Sequence, residues 1–420
     1  MLNRYPNKSS LLEFVEKGNL REKCEEEKHK TTSRRNIFAL GFVSFFTDLS
    51  SEMVFSILPA FLLGLPGSSR AVLGLIEGTA EALSYGLRAV SGIFSDKFKK
   101  RKLFVLIGYS LSNAVKPLFA LARVPIDVML IRVSDRVGKG VRTSPRDVLL
   151  CESVSEKRRG AAFGLHRTLD QAGAVVGPVV ASVVMILFSF TIRDIFWLSL
   201  IPGTMALLII IFLVKERAGK TVHEFRLLEG IKSVLNGDFS LLLVVVGIFS
   251  LGAFNFSFVL LNAGEAGIGE SFIPLVYTLV NISHAAVAIP AGILSDRLGK
   301  EKVMILGYGV FLSSALLILL PISSVVAILV AVVYGVYLGI VETVQRALIP
   351  DYVVQNLRGT AYGLYYLLVG SAFFVSNSVV GSLWEIFGSS VASTYSIILS
   401  VAAICAMLVF VTKKINKKSD

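Results

Sequence analysis

Long apolar segments recur along the whole chain, and they constrain its fold more than any other feature. The uncharged runs Leu241–Leu251 and Val325–Val333 belong to segments near the roughly 20 residues that cross a bilayer core. Hydrophobic residues make up 54% of the chain and charged residues 17%, against roughly 25% charged in soluble domains. Because one soluble core cannot bury so much apolar surface, the pattern predicts an all-α membrane protein.

About twelve transmembrane helices are predicted, in two bundles of six. The first bundle, residues 36–214, holds Asn36–Leu63, Ala71–Ser95, Leu103–Ala122, Ile126–Val141, Gly160–Phe188 and Ile195–Val214. The second bundle, residues 239–412, holds Phe239–Leu261, Phe272–Leu294, Val303–Leu320, Val325–Leu348, Thr360–Leu383 and Val391–Val411. A charged connector, residues 215–238, separates the bundles, and polar tails of residues 1–35 and 413–420 flank them.

Basic residues are concentrated in alternate loops. One set of loops carries basic clusters in both halves, whereas the other set carries only Arg70, Arg123 and Arg193. Positively charged loops stay cytoplasmic, so we predict a multi-pass protein of the cell (inner) membrane with both termini inside. This distribution explains most of the formal charge of +12 without a nucleic-acid partner.

No chemical site of an enzyme is visible. The three cysteines are scattered and form no CxxC pair, so we expect neither a disulfide framework nor a zinc site. Because the chain shows no nucleophile–base constellation and no phosphate-binding glycine loop, we predict a protein that is not an enzyme and has no cofactor.

An internal repeat relates the two halves. Ser91-Gly-Ile-Phe-Ser-Asp96-Lys97 matches Ala291-Gly-Ile-Leu-Ser-Asp296-Arg297. Arg159-Gly-Ala-Ala-Phe-Gly-Leu165 likewise matches Arg358-Gly-Thr-Ala-Tyr-Gly-Leu364. Since both copies run in the same order and orientation, they predict parallel repeats about an axis along the membrane normal.

The loop motif resembles the cytoplasmic signature of the major facilitator superfamily. Its second-half copy is Gly292-x-x-x-Asp296-Arg297-x-Gly299, and its first-half copy is Gly92-x-x-x-Asp96-Lys97-x-Lys99-Lys100-Arg101, with Lys99 in place of glycine. The resemblance implies a secondary transporter with the major facilitator fold. It also implies that Asp96 and Asp296 latch the halves together on the cytoplasmic side.

Two further segments resemble motifs of this family. Gly164, Gly173 and Gly177-Pro178 are similar to its fifth-helix antiporter motif, which implies export. Arg132-Val-Ser-Asp135-Arg136-Val-Gly138 resembles its fourth-helix arginine motif. Small residues let helices pack backbone to backbone.

Charged residues inside the apolar segments predict the transport pathway, since a charge at the bilayer centre costs about 2.5–3.5 kcal/mol. The predicted proton-coupling and substrate residues lie in the first half: Asp48, Glu52, Glu77, Glu81, Arg88, Lys116, Arg132, Asp135, Arg136, Arg167 and Asp170. The predicted pocket of the second half is Asn255, Tyr277, Asn281, Tyr334, Tyr337, Glu342, Arg346, Tyr362 and Tyr365. We interpret this as a division of labour, with protons or ionic groups handled by the first half and substrate faces packed by the second.

These features predict a proton-coupled exporter of a small organic molecule that works by alternating access as a monomer. Its predicted partners are the substrate, a proton and the lipid bilayer, and Asp48 is the strongest candidate proton carrier. One alternative is a divalent metal exporter with Asp48, Glu52, Met53, Glu77 and Glu81 as ligands. Another is an uptake symporter that clamps an organic anion with arginines. A membrane receptor or lipid-handling protein is a third.

Overall fold

The structure is a computed structural model that describes residues 35–98, 101–153, 159–216, 231–232, 234–235, 237–354 and 357–419. The N-terminal tail, most of the connector and the basic pair Lys99-Lys100 lie outside these described residues. Side chains are described for fewer positions, and those of residues 89–98 and 413–419 are not among them.

Twelve helical segments make up the described part of the chain. In the first half they are α1 (Arg35–Leu63), α2 (Arg70–Phe98), α3 (Arg101–Leu121), α4 (Pro125–Glu152), α5 (Arg159–Phe188) and α6 (Ile192–Leu213). In the second half they are α7 (Asp238–Glu265), α8 (Ile273–Leu298), α9 (Lys300–Ile318), α10 (Ser324–Leu348), α11 (Arg358–Phe387) and α12 (Ser389–Ser419). The predicted all-α fold of about twelve helices is confirmed.

Ten of these segments are long and apolar enough to cross a membrane. The other two, α2 and α4, are as long at 29 and 28 residues but carry more charge. Large apolar side chains cover the outside of the bundle, where Phe212, Ile289 and Leu187 are each at least 70% exposed. Such a surface is unfavourable in water and suits contact with lipid.

Four of the segments are interrupted, among them α6, which breaks at Ser199 between Ile192–Leu198 and Leu200–Leu213. The helix of α1 restarts at Leu58 with Pro59 in its first turn, and α3 ends in a 3₁₀ turn, Lys116–Leu121, with Pro117 in its first turn. Proline has no backbone N–H to donate, so a helix start suits it. The break in α7 follows Gly252, and the Asn255 side chain caps the new helix by accepting a hydrogen bond from the Ser257 N–H at 2.9 Å.

The fourth helix is longer than the sequence predicted. We expected it to end at Val141, with Arg142 and Arg146 in a basic cytoplasmic loop, but the helix continues to Glu152 with Pro145 inside it. Arg142, Thr143 and Arg146 of this extension line a cavity between the halves. Since these polar groups face the cavity, the helix continues without exposing them to lipid.

Equivalent helices pack alike in the two halves. α4 packs on α2 and α3, and α10 packs on α8 and α9 in the same way. The repeated Gly-Tyr dipeptides lie at these crossings: a Cβ on Gly108 would lie 2.6 Å from the Gly138 oxygen, and one on Gly307 would lie 2.7 Å from Val341 Cγ2. The sequence repeat is therefore a structural repeat.

The halves meet along two helix pairs that the repeat also relates, α2 with α11 and α5 with α8. The first pair is close: a Cβ on Gly74 would lie 2.0 Å from the Asn377 oxygen. At the start of α2, Arg70 pairs with Glu265 of the second half at 2.8 Å. We call the side of the bundle where α1 starts and α12 ends the termini side, and the opposite side the far side. Both of these contacts lie on the far side.

We expect Gly108→Ala to lower the free energy of unfolding by about 1–3 kcal/mol, because the new methyl group overpacks the α3–α4 crossing. The thermal unfolding midpoint of the purified protein measures this. Gly309→Ala is the matched control, since nothing lies within 4 Å of a Cβ at that helical position. Equal midpoints for the two variants would contradict the proposed close packing.

Candidate functional site

A cavity of about 340 Å³ lies between the halves. Its walls come from α1 to α5 in the first half and from α7, α8, α10 and α11 in the second. The cavity opens toward the termini side, because Arg346, near the end of α10, is still 43% exposed while the far side is closed by the α2–α11 contacts.

Seven cations and five carboxylates of the described residues line this cavity. The cations are Arg88, Arg136, Lys139, Arg142, Arg146, Arg167 and Arg346. The carboxylates are Asp48, Glu52, Glu81, Asp170 and Glu342. All of these except Glu342 and Arg346 belong to the first half, so the charge of the cavity is unequally divided between the halves.

Two of the carboxylates are in contact with each other. Asp48 of α1 and Asp170 of α5 are within hydrogen-bond contact of each other. Asp170 also accepts a hydrogen bond from the Ser44 hydroxyl at 2.5 Å and pairs with Arg167 at 2.9 Å. The contact depends on the glycines of α5, because a Cβ on Gly173 or Gly177 would meet the α1 backbone at 2.3 or 2.6 Å.

Arg167 connects this pair to the second half. Its second terminal nitrogen, Nη2, lies 3.7 Å from Glu342 Oε2 and 3.5 Å from His284 Nε2. Glu342 in turn lies 3.4 Å from Arg346 Nη2. A chain of polar contacts therefore crosses the cavity from Asp48 to Arg346, and it would change if the halves moved.

Glu52 lies one helical turn after Asp48. It faces the hydroxyl of Tyr277 across the interface between the halves. Its Oε2 atom is buried and has no hydrogen-bond partner among the described residues. Two cavity carboxylates of α1, Asp48 and Glu52, thus lack a cation within 4.0 Å in the described structure.

Two carboxylates of α2 are paired with arginines of α4, one pair behind the cavity wall and the other on it. Arg132 and Glu77 form a salt bridge of 2.8 Å and are 0% and 1% exposed, and the Arg132 guanidinium carbon lies 3.8 Å from the Phe55 ring centre. One turn further, Arg136 pairs with Glu81 at 3.2 Å. The pairs repeat because both helices place a charge on the same face every four residues.

Two more charges are buried against hydroxyl groups. Lys116 of α3 donates hydrogen bonds to Ser50 at 2.6 Å and Ser51 at 3.2 Å. Asp135 accepts a hydrogen bond from the Ser112 hydroxyl. Neither residue lines the cavity, so among the predicted pathway residues Glu77, Lys116, Arg132 and Asp135 contact other parts of the first half instead.

The second half forms an aromatic wall. Two stacked ring pairs lie on it, Phe256 with Tyr277 at 4.5 Å and Phe254 with Tyr334 at 5.8 Å between centroids. The predicted residues that line this wall are Asn255, Tyr277, Asn281, Tyr334, Tyr337, Glu342, Arg346 and Tyr365. Tyr362 is outside the lining, and its hydroxyl donates to the Arg346 oxygen at 3.0 Å.

The predicted cytoplasmic latch stays a prediction. The side chains of Gly92-to-Lys97 lie outside the described part of the structure, and Arg101 begins α3. Asp296 and Arg297 are exposed at the end of α8, and Asp296 has no ion-pair partner within 4.0 Å among the described residues.

The glycines of the second-half motif have local structural roles. Gly299 follows α8 with a φ of 96°, a conformation that favours glycine at a helix end. A Cβ on Gly292 would lie 3.7 Å from Thr343 Cγ2.

Several lining residues were not predicted as site residues. Lys139, Thr143 and Arg146 continue the face of α4 that starts with Arg132 and Arg136, at helical spacings of three and four. This spacing was visible in the sequence, but ending the helix at Val141 assigned its later members to a loop. Gln171 and Gln345 carried no comparable signal.

The residues proposed as metal ligands do not converge. Glu77 and Glu81 are paired with arginines, and Met53 is buried outside the cavity lining. In the described part of the chain, no three His, Cys, Asp or Glu side chains are placed to hold a metal ion.

The family follows from comparison with known proteins. The family model described as the Major Facilitator Superfamily matches residues 40–260 and 240–420. The chain therefore belongs to the major facilitator superfamily, and it is a multi-pass membrane transporter rather than an enzyme.

Relatives and solved structures agree with this assignment. An uncharacterized MFS-type transporter of Methanocaldococcus jannaschii is 33% identical over 378 residues, which cover 89% of this chain and 93% of the relative. Multidrug resistance protein MdtG of Proteus mirabilis is 24% identical over 293 residues, 66% of this chain and 72% of the relative. The crystal structure of the nucleoside transporter NupG has a TM-score of 0.70 at 15% identity and covers 90% of this chain and 98% of its own. The last comparison concerns the fold alone.

We expect Glu77→Gln to destabilise the protein by about 3–5 kcal/mol, because it leaves the Arg132 charge buried without its partner. The thermal unfolding midpoint and the yield of folded protein measure this. Glu385→Gln is the control, since it weakens a half-exposed pair with Arg70 at 3.5 Å, and such a pair contributes only about 0–1 kcal/mol. A Glu77→Gln variant as stable as the control would show that the buried pair is dispensable.

Proposed function

We propose that this chain is a proton-coupled exporter of a small organic molecule that works by alternating access. The contact of Asp48 with Asp170, held by an arginine that also reaches the second half, carries the proposal. Two carboxylates in contact repel each other when both are ionised, so the pair favours holding one proton. A proton site of this kind lies in the cavity itself.

Coupling would come from Arg167. In the structure its guanidinium is shared between Asp170 of the first half and Glu342 of the second. If the two halves move relative to each other, the distance between Arg167 and Glu342 changes. The interaction of Arg167 with Asp170 then changes as well, and with it the proton affinity of the Asp48–Asp170 pair. A group whose proton affinity depends on conformation can link proton movement to alternating access.

Two observations support export as the direction. The glycines at positions 173 and 177 resemble the family's antiporter motif, and they hold α5 against α1 at the carboxylate pair. The distant relative from Proteus mirabilis is named a multidrug resistance protein. The size of the cavity, about 340 Å³, suits a small organic molecule.

Uptake of an organic anion together with protons is the second candidate, and the charge of the cavity favours it. The lining has two more cations than carboxylates among the described residues. A proton on Asp48 would add to this positive charge, so an anion and a proton would bind more strongly together than alone. Stronger binding of the anion and the proton together suits symport rather than exchange.

We expect Asp48→Asn to abolish proton movement that is driven by a transported compound, because the amide cannot accept the proton. The measurement uses proteoliposomes with a trapped pH-sensitive dye and a panel of organic compounds. Asp127→Asn is the matched control, since Asp127 is a far-side residue outside the cavity lining. Intact coupling in Asp48→Asn would overturn the assignment of Asp48 as the proton carrier.

The same assay separates the two candidates. Export by exchange predicts proton entry as the compound leaves the vesicle, whereas symport predicts that both move in the same direction. An absence of proton movement with any compound that is transported would overturn proton coupling for both.

A further inference from the structure

Two cations on the cavity wall have no carboxylate partner. Neither Lys139 nor Arg142 of α4 has a carboxylate within 4.0 Å among the described residues, and the Lys139 ammonium takes part in no hydrogen bond there. Both line the cavity. They differ in this from Arg136, Arg167 and Arg346, which are paired with carboxylates.

Arg142 is held in place although it is unpaired. It is only 5% exposed, and its guanidinium carbon lies 4.3 Å from the centre of the Tyr109 ring. Its Nη1 atom is buried and donates no hydrogen bond. On the other side of the cavity, the side-chain amide nitrogen of Gln345 is likewise buried without a partner, and this residue is 7% exposed.

Unsatisfied donors of this kind need an acceptor. A buried donor without a partner costs about 1–3 kcal/mol, and a cation costs more. Three of the five cavity carboxylates are engaged elsewhere: Glu81 with Arg136, and Asp170 and Glu342 with Arg167. The other two, Asp48 and Glu52, are open but lie more than 4.0 Å from both cations. An acidic group from outside the chain would satisfy the buried donors of Arg142 and Gln345 and pair with the half-buried Lys139.

We propose that Lys139 and Arg142 bind the carboxylate or phosphate group of an organic anion, and that its flat apolar body lies against the aromatic wall of the second half. The stacked pair Phe256–Tyr277 offers a face for such a body. This inference rests on the proposed function as a transporter and names its substrate class. It does not depend on the direction of transport, since the substrate must occupy the cavity in either case.

Binding of small aromatic anions to the purified full chain tests the proposal. Phenyl phosphate and benzoate are the probes, and the uncharged benzamide and the cationic benzylamine are their matched controls. At about 10 mM we expect both anions to raise the thermal unfolding midpoint, because a ligand that binds only the folded state stabilises it. Inorganic phosphate is expected to bind more weakly than phenyl phosphate, since it lacks the apolar body.

Substitutions locate the binding. We expect Lys139→Gln and Arg142→Gln to weaken binding at least about tenfold, whereas Lys139→Arg retains it. Arg123→Gln, at an exposed cation outside the cavity, is the control and should bind like the wild type. Titration of radiolabelled benzoate onto the folded monomer fraction from size exclusion gives the affinity of each variant, even where a substitution reduces the yield.

Three outcomes would overturn the proposal: no stabilisation by either aromatic anion, equal stabilisation by benzylamine, or wild-type affinity in both glutamine variants. Failure of the anion proposal can be distinguished from failure of the proton-coupling proposal. The binding assay uses no proton gradient, and the dye assay follows only proton movement. Binding and transport of an anion without proton movement would overturn proton coupling and keep the anion site.

Discussion

The structure of the first half depends on pairing charges that would otherwise be buried without a partner. Arg132 and Glu77 form this pairing in its most buried form, with both side chains essentially inaccessible. Because an isolated charge at this depth would be costly, α2 and α4 must keep their register and their distance. The same two helices carry Glu81 and Arg136 at the edge of the cavity. The buried pair thus fixes the packing of α2 against α4, the two helices that carry Glu81 and Arg136 at the cavity.

The two halves share one architecture but differ in chemistry. Equivalent helix pairs and equivalent Gly-Tyr crossings show that the backbone follows the repeat. Most of the cavity charges, however, belong to the first half, and stacked aromatic rings belong to the second. A parallel repeat places the halves face to face across one axis. One half can therefore present charge to a ligand while the other presents apolar faces, as the proposed anion site requires.

Much of the fold could be predicted because lipid imposes a simple rule on sequence. Segments that cross a bilayer must be helical and apolar, so their number and order are readable from composition alone. The rule failed at the end of α4. Residues 142 to 152 carry four charges and include Pro145, which in a lipid-facing helix would be unfavourable. In the structure this helix faces a polar cavity, where the rule does not apply.

Sequence by itself determined the all-helical fold, the internal repeat and which residues carry charge into the membrane region, because these follow from composition and local spacing. Only the tertiary structure decided which charges satisfy one another and which remain open. Glu77 and Glu81 have the same spacing as Asp48 and Glu52, yet the first two are paired with arginines and the second two are not. That difference depends on which helix lies opposite each carboxylate. Spacing along one helix cannot give it, since contacts across the bundle join residues far apart in the chain.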